Sequence, residues 1–220
     1  TTWSTPQAPT TVTAFTKGSG WKRIATIPGI AGRGFGKVSL YTTGGSFAPS
    51  VTTIHWFHDW ATTAKLWLHA EIAGNFWDEV RIADDGTNAF IEVNFTTDIS
   101  TGSLELITDD YGWRPAVLFS GNLPNGGGNV RANAKVGKVN YNNSFIVAED
   151  GNVGIGSTSP LARLHVAGGS VRVDNLGGSG NVNVIADNNG NLMKGSSSDT
   201  YFTHMDVAFD IGSGGEQTMF

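Results

Sequence analysis

Between Trp21 and about Leu123, apolar and polar positions alternate with a period of two, in aromatic and β-branched runs broken about every eight to twelve residues by turn-forming residues. Successive side chains of an extended chain point to opposite faces, so the pattern predicts half-buried strands, and their number and spacing predict a β-sandwich or jelly roll. Ile54, Trp56, His58 and Trp60 share one face of a strand, and Leu66, Leu68, Ala70 and Ile72 oppose Trp67, His69 and Glu71 on the next. The clearest hairpin runs from Trp77 to Phe95. There Val80 and Ile82 alternate with Glu79 and Arg81, Ile91 and Val93 alternate with Glu92 and Asn94, and Asp84-Asp85-Gly86-Thr87 supplies the turn. Leu104 and Leu106, then Val117 to Phe119, complete the set. No helical stripe persists for a dozen residues, which predicts almost no helix.

The flanks read differently. Residues 1–20 are rich in Thr, Pro and Gly and predict an extended N-terminal arm that packs through Trp3 and Phe15. From Pro124 onward Gly and Asn dominate, with apolar islands at Val136 to Tyr141, Phe145 to Ala148, Val153 to Ile155, Leu164 to Val166, Val171 to Val173 and Val182 to Ala186. Each island buries too few side chains to offset its chain entropy alone. Three copies wound around one axis would supply the missing surface, so residues 124–220 are expected to form a shaft-like, intertwined homotrimer. The expected division is thus an arm over 1–20, a sandwich over 21–123 and a shaft over 124–220, in an all-β chain.

Composition sharpens this picture by exclusion. A net charge of -5 over 220 residues leaves no basic footprint for a phosphate backbone, so nucleic acid is not an expected partner. There is no cysteine, hence no disulfide or thiolate zinc site. The longest apolar runs, such as Pro115 to Phe119, fall far short of a membrane-spanning helix, and no membrane insertion is expected. Thirty glycines point away from helix. The chain starts at Thr1 without methionine or a signal-peptide pattern, and is expected to have been processed or trimmed.

The segment Gly151-Asn152-Val153-Gly154-Ile155-Gly156-Ser157-Thr158-Ser159-Pro160-Leu161-Ala162-Arg163-Leu164-His165-Val166 resembles the GNVGIGTTSPxxKLHV element that recurs in phage tail fibres, spikes and related bacterial surface adhesins. Ser170 to Leu176 and Val184 to Leu192 are similar to its continuation in proteins of Bacteroidetes and their phages. The resemblance covers about residues 149–194. It implies a fibre or spike subunit on a virion or other extracellular surface, with itself, other virion or fibre proteins and a host glycan as partners. In physical terms Gly151, Gly154 and Gly156 are expected at tight turns, and Leu161, Leu164 and Val166 are expected to point inward in a shaft.

Several side-chain groups are candidates for chemistry. His55 and His58 cannot share a strand face, so they are read as half-buried histidines at a subunit contact, and no metal is expected. A mixed face holds Trp67, His69 and Glu71, then Trp77, Glu79 and Arg81, then Phe90 and Glu92. It should be covered either by neighbouring subunits, the preferred reading, or by a glycan stacked on indoles. Trp56, Trp60, Trp67, His69, Trp77 and Phe90 are therefore the expected subunit contacts. Asp109, Asp110, Tyr111, Trp113 and Arg114 are read as a loop at one end of the sandwich and as the candidate glycan site, with a core-closing turn as the alternative. Asp84-Asp85-Gly86 is explained as a hairpin turn without a cation. Gly32-Arg33-Gly34-Phe35-Gly36-Lys37 lacks phosphate-loop spacing and is read as a glycine-rich turn.

No GxSxG elbow or HExxH pair is present, and a glycosidase would need two carboxylates, for which Asp78, Glu92, Asp109 and Asp110 are the ones to test. The expectation is a non-catalytic, cofactor-free attachment protein. Its rivals are a purely structural virion or appendage subunit and a glycan-degrading tailspike-type enzyme.

Overall fold

The computed structural model describes residues 9–30, 33–59, 63–112, 115–174, 184–186, 188 and 192–194, except for the side chains of 110–112, 186 and 192–194. Strands are numbered in chain order. Five of them build the main part of a large sheet in the order β1 (Thr10–Phe15), β8 (Leu104–Gly112), β3 (Arg33–Thr42), β4 (Ser50–Asp59) and β5 (Thr63–Ile72). Beyond β1 the sheet ends in β10 (Gly121–Asn122). Beyond β5 it continues through β12 (Val139–Tyr141), β13 (Phe145–Val147), β14 (Val153–Ile155) and β15 (Leu164–Val166). The second sheet runs β11 (Asn129–Lys135), β6 (Trp77–Asp84), β7 (Ala89–Phe95), β2 (Gly20–Ile27) and β9 (Val117–Leu118). No α-helix occurs among the described residues, and the fold is all-β as the periodicity predicts.

The two sheets face each other across one apolar core. Val38, Leu40, Ile54, Leu66, Leu68 and Leu106 from the first sheet pack against Ile24, Val80, Ile82, Ile91 and Val93 from the second, all buried. Each such aliphatic side chain taken out of water contributes about 1.5–3 kcal/mol. Early strands pair with late ones, β1 with β8 and β2 with β7, as at the ends of a jelly roll. The β3-β4-β5 meander, by contrast, stays wholly within one sheet.

The chain divides into two compact units, the first ending at Ser170 and the second starting at Val171. Thr10–Phe15, part of the expected arm, is β1 of the large sheet, where Val12 lies opposite Leu106 and Ala14 opposite Leu104. The Gly/Asn-rich stretch contributes to both sheets: β11 pairs with β6, and β12 pairs with β5. The islands at 139–166 thus have a partner within the chain, the open edge of β5. In the second unit β16 (Val184–Ala186) and β17 (Leu192–Lys194) form an antiparallel pair with Ile185 opposite Met193.

Trp56 and Trp77, expected at a subunit contact, lie instead in the sandwich core, each 1% exposed. Trp56 shares its inward face with Ile54 and His58, and its cross-strand partner Gly36 has no side chain to compete for the space. Trp77 donates from Nε1 to Thr52 Oγ1 (2.8 Å) and meets Phe95 edge-on at 5.9 Å between ring centroids. The Gly34–Lys37 stretch is strand β3 rather than a turn, because both β4 and β8 pair along it.

The β6–β7 turn has the expected chemistry: Gly86 sits at φ 88°, Asp84 accepts from its N–H (3.0 Å), and Asp85 accepts from the N–H groups of Thr87 and Asn88 (2.9 Å each). Asp84 is buried and also accepts a hydrogen bond from the Arg131 guanidinium on β11. That bond, above all, holds its carboxyl below the ordinary aspartate range. A depressed carboxylate stabilises the fold at pH above its unfolded value, about 3.9, and the contribution is lost as pH falls through the lower folded value. Asp84→Asn is therefore expected to lower the urea midpoint at pH 7, with the difference from the parent protein shrinking as the pH is lowered below the ordinary aspartate range.

Candidate functional site

The outward face of the large sheet carries a continuous row of side chains. Reading across hydrogen-bonded strands, the row is Asp109, Lys37, His55, Trp67, Tyr141, Phe145, Ile155 and Val166, on β8, β3, β4, β5, β12, β13, β14 and β15. At about 4.8 Å per strand it spans roughly 34 Å. Inward neighbours on the same strands, such as Leu66, Leu68 and Ile146, are buried, so strict alternation places the row outside.

The row changes chemistry along its length. At the sandwich end Lys37 Nζ and Asp109 Oδ2 form an ion pair (3.6 Å), both partly exposed. Next comes His55, whose imidazole is held below its ordinary range, first by the loss of water around it and then by Lys37 and His69. At neutral pH it is uncharged. Trp67 is half-buried, and beyond it Tyr141 (54% exposed) and Phe145 (37%) tilt together at 6.4 Å between ring centroids. The row then becomes aliphatic. Of twelve large hydrophobic side chains exposed among the described residues, five lie between Tyr141 and Leu164 in this part of the first unit.

The resemblance segment forms part of this extension. Gly151 (φ 80°) and Gly156 (φ 70°) sit at turns, as expected. Gly154 is instead within a strand, and a Cβ there would come within 2.1 Å of the Ser157 carbonyl oxygen, so this glycine permits close approach rather than a turn. Leu161 (88% exposed) and Leu164 (60%), expected to point inward, face solvent in the single chain.

The expected glycan site is only partly a site of its own. Asp109, Asp110 and Tyr111 belong to β8 rather than to a loop, because β3 offers them a full register, Lys37 opposite Asp109, Gly36 opposite Asp110 and Phe35 opposite Tyr111. Asp109 joins the outward row. Trp113, Arg114 and Trp60 lie outside the described residues.

The mixed face is split between the two sheets. Trp67, His69 and Glu71 are on the outward face of the large sheet, whereas Phe90 and Glu92 lie on the outward face of the second. Phe90, a further expected contact, is 5% exposed because the Arg23 guanidinium lies over its ring at 3.6 Å. Glu92 is fully buried between Arg81 (2.7 Å) and Arg23 (3.3 Å), and it accepts from the Gly127 N–H at 3.0 Å. Asp78 accepts from Asn94 Nδ2 at 2.8 Å. Glu92 and Asp109 are thus bound to cations, not poised opposite one another. No cluster of three metal-ligating side chains occurs among the described residues. From the sequence Lys37, read as part of a glycine-rich turn, and Tyr141 and Phe145, read as ends of apolar islands, have no place on a common face, since their place in the row depends on pairing between distant strands.

No protein-family model matches the chain, and no curated protein matches it. Among solved structures, it is similar to WceF of Pantoea stewartii, described as a glycan biofilm modifying enzyme with a bacteriophage tailspike-like parallel β-helix fold. The identity is 10%, the TM-score is 0.38, and the match covers 84% of this chain and 29% of that one.

Proposed function

We propose that the chain is a non-catalytic subunit of a homotrimeric fibre or spike on a virion or related extracellular particle, and that it attaches the particle to surface glycans. The observation that carries this reading is the row on the large sheet, with its change from charged and aromatic to bare aliphatic. A sheet face of exposed Phe145, Ile155 and Leu164 gains by being covered, and identical copies offer the same apolar surface in return. The resemblance of residues 151–166 to fibre and spike segments supports a threefold arrangement. Toward the sandwich end, Trp67 and, two and three strands away on the same face, Lys37 and Asp109 offer an indole face and charged hydrogen-bonding groups, the kinds of group that hold a glycan. Binding at one such face is weak, and three copies raise it through effective concentration.

Sedimentation velocity of the intact chain tests the first half. A trimer at micromolar concentration is expected, and Phe145→Glu with Leu164→Glu is expected to convert it to monomer without loss of the β signal in circular dichroism. A folded monomer of the parent sequence at that concentration would overturn the assembly. A glycan array tests the second half, with Trp67→Ala as the control. A silent array from an intact trimer would leave a structural subunit without a receptor.

A further inference from the structure

A cleft of about 300 Å³ lies where four segments meet: Asp78 and Glu79 at the start of β6, Asn133 and Lys135 at the end of β11, Asn143 in the β12–β13 turn, and Thr158 in the connection between β14 and β15. A second cleft of about 350 Å³, reaching Val136 and Glu149, shares Asp78 and Lys135 with the first. Together they form a trough of the size that takes small ligands.

Its carboxylates are placed by an irregularity. Adjacent residues of a regular strand point to opposite faces, so Asp78 and Glu79 should not line one cleft. The pairing of β6 with β7 slips between Trp77 and Glu79. Trp77 and Val80 consequently both turn into the core, and the two acids between them both turn outward. Bulges of this kind re-aim side chains and occur disproportionately beside functional sites.

The opposite wall is held as firmly. Asn142 and Asn143 both adopt left-handed conformations, φ 49° and 59°, in the tight β12–β13 turn. Asn143 donates from Nδ2 to the Asn133 carbonyl (2.7 Å) and accepts from Asn140 Nδ2 (2.9 Å). Lys135 Nζ donates to Ser159 Oγ (3.2 Å), tying β11 to the turn that follows β14.

The lining selects the ligand. All six side chains of the first cleft are polar, so an apolar molecule gains little there. Three carboxylates, Asp78, Glu79 and Glu149, stand against one ammonium, Lys135, so an anion is repelled. Glu79 Oε1 accepts from Asn133 Nδ2 (2.8 Å) and Asp78 Oδ1 from Asn94. The second oxygen of each carboxylate has no donor among the described residues. Planar carboxylates and amides with acceptors to spare suit vicinal hydroxyls or an amine.

We propose that this trough binds one or two sugar units of an uncharged or amine-bearing glycan, with Asp78 and Glu79 accepting hydrogen bonds from its hydroxyls or ammonium and Lys135 donating to a ring or hydroxyl oxygen. The inference rests on the glycan half of the proposed function, and it adds a second, selective contact to the one on the outward row.

Saturation-transfer NMR on the intact assembly tests it, with glucosamine, galactose and glucuronate as probes at millimolar concentration. Transfer to glucosamine or galactose and none to glucuronate is expected. Asp78→Ala and Lys135→Ala should each weaken binding at least ten-fold, with circular dichroism unchanged, and Glu79→Gln should weaken it less. Val117→Ala, on β9 at the opposite edge of the second sheet, should leave it as it is. Transfer unchanged in Asp78→Ala and Lys135→Ala, or equal transfer to glucuronate, would overturn the trough as the site. If Trp67→Ala alone abolished transfer, the glycan would lie on the outward row, so the trough would fail while attachment to glycans stood. No transfer to any probe, with a silent array, would overturn both.

Discussion

Glu92→Gln is expected to destabilise the first unit by about 3 kcal/mol, seen as a lower urea midpoint at unchanged slope. The substitution keeps size and shape and removes one charge. What it leaves behind is costly: the Arg23 and Arg81 side chains are only 21% and 15% exposed, and the carboxylate between them is fully buried. Removing the shared partner of buried cations costs about 3–5 kcal/mol, and the residual exposure of both guanidiniums sets the lower end of that range. The same change removes the charged acceptor from the Gly127 N–H, so hydrogen exchange at that amide should accelerate more than at the strand amides of β7. Replacing Arg23, Glu92 and Arg81 together by Leu, Met and Leu should cost much less than the single change. A loss under about 1 kcal/mol for Glu92→Gln would mean that the triad does not hold the 124–128 segment in place.

Trp77→Ala should cost about 4 kcal/mol, within the range for deleting a buried large aromatic. Trp77 packs against Phe95 and Phe76 and is hydrogen-bonded to Thr52, so truncation opens a cavity and frees the Thr52 hydroxyl at once. Trp77→Phe separates the two contributions by keeping most of the ring contacts. Thr52→Val is the complementary test, because it leaves the indole N–H buried with no acceptor, at about 1–3 kcal/mol. Urea titrations of the three variants, read alongside near-ultraviolet circular dichroism, give the comparison. Equal stability of Trp77→Ala and the parent protein would contradict the placement of this indole in the core.

Period-two alternation was enough to place the inward faces of β4 and β5, and so to mark Ile54, Leu66 and Leu68 as core. It failed where the phase slips. Trp77 reads as a neighbour of Glu79 and Arg81 on a mixed outer face, but the bulge that turns it inward involves only one extra residue and has no mark in the sequence. Asp109 to Gly112 reads as a loop because its residues are polar and end in glycine. It is a strand because β3 offers a register there.

Glu92 was legible as outward-facing and not as buried, since its cover, the 124–128 segment, arrives from beyond the hairpin. The islands of the extension were legible as strands. Their docking onto β5 was not, because Val139 opposite His69 is a pairing between distant segments that no local pattern encodes. The same reason hid the trough, whose walls come from four separate stretches of chain.

The knot of Arg23, Glu92, Arg81 and Gly127 has one more implication. Pairs at the rim, such as Arg33 with Asp59 or Lys37 with Asp109, stand in water and fade as ions crowd around them. The carboxylate of Glu92 is out of reach of mobile ions. In brine or in dilute buffer alike, the chain that leaves the first sandwich strands for β11 stays fastened at the same point, and the trough beyond it keeps its shape.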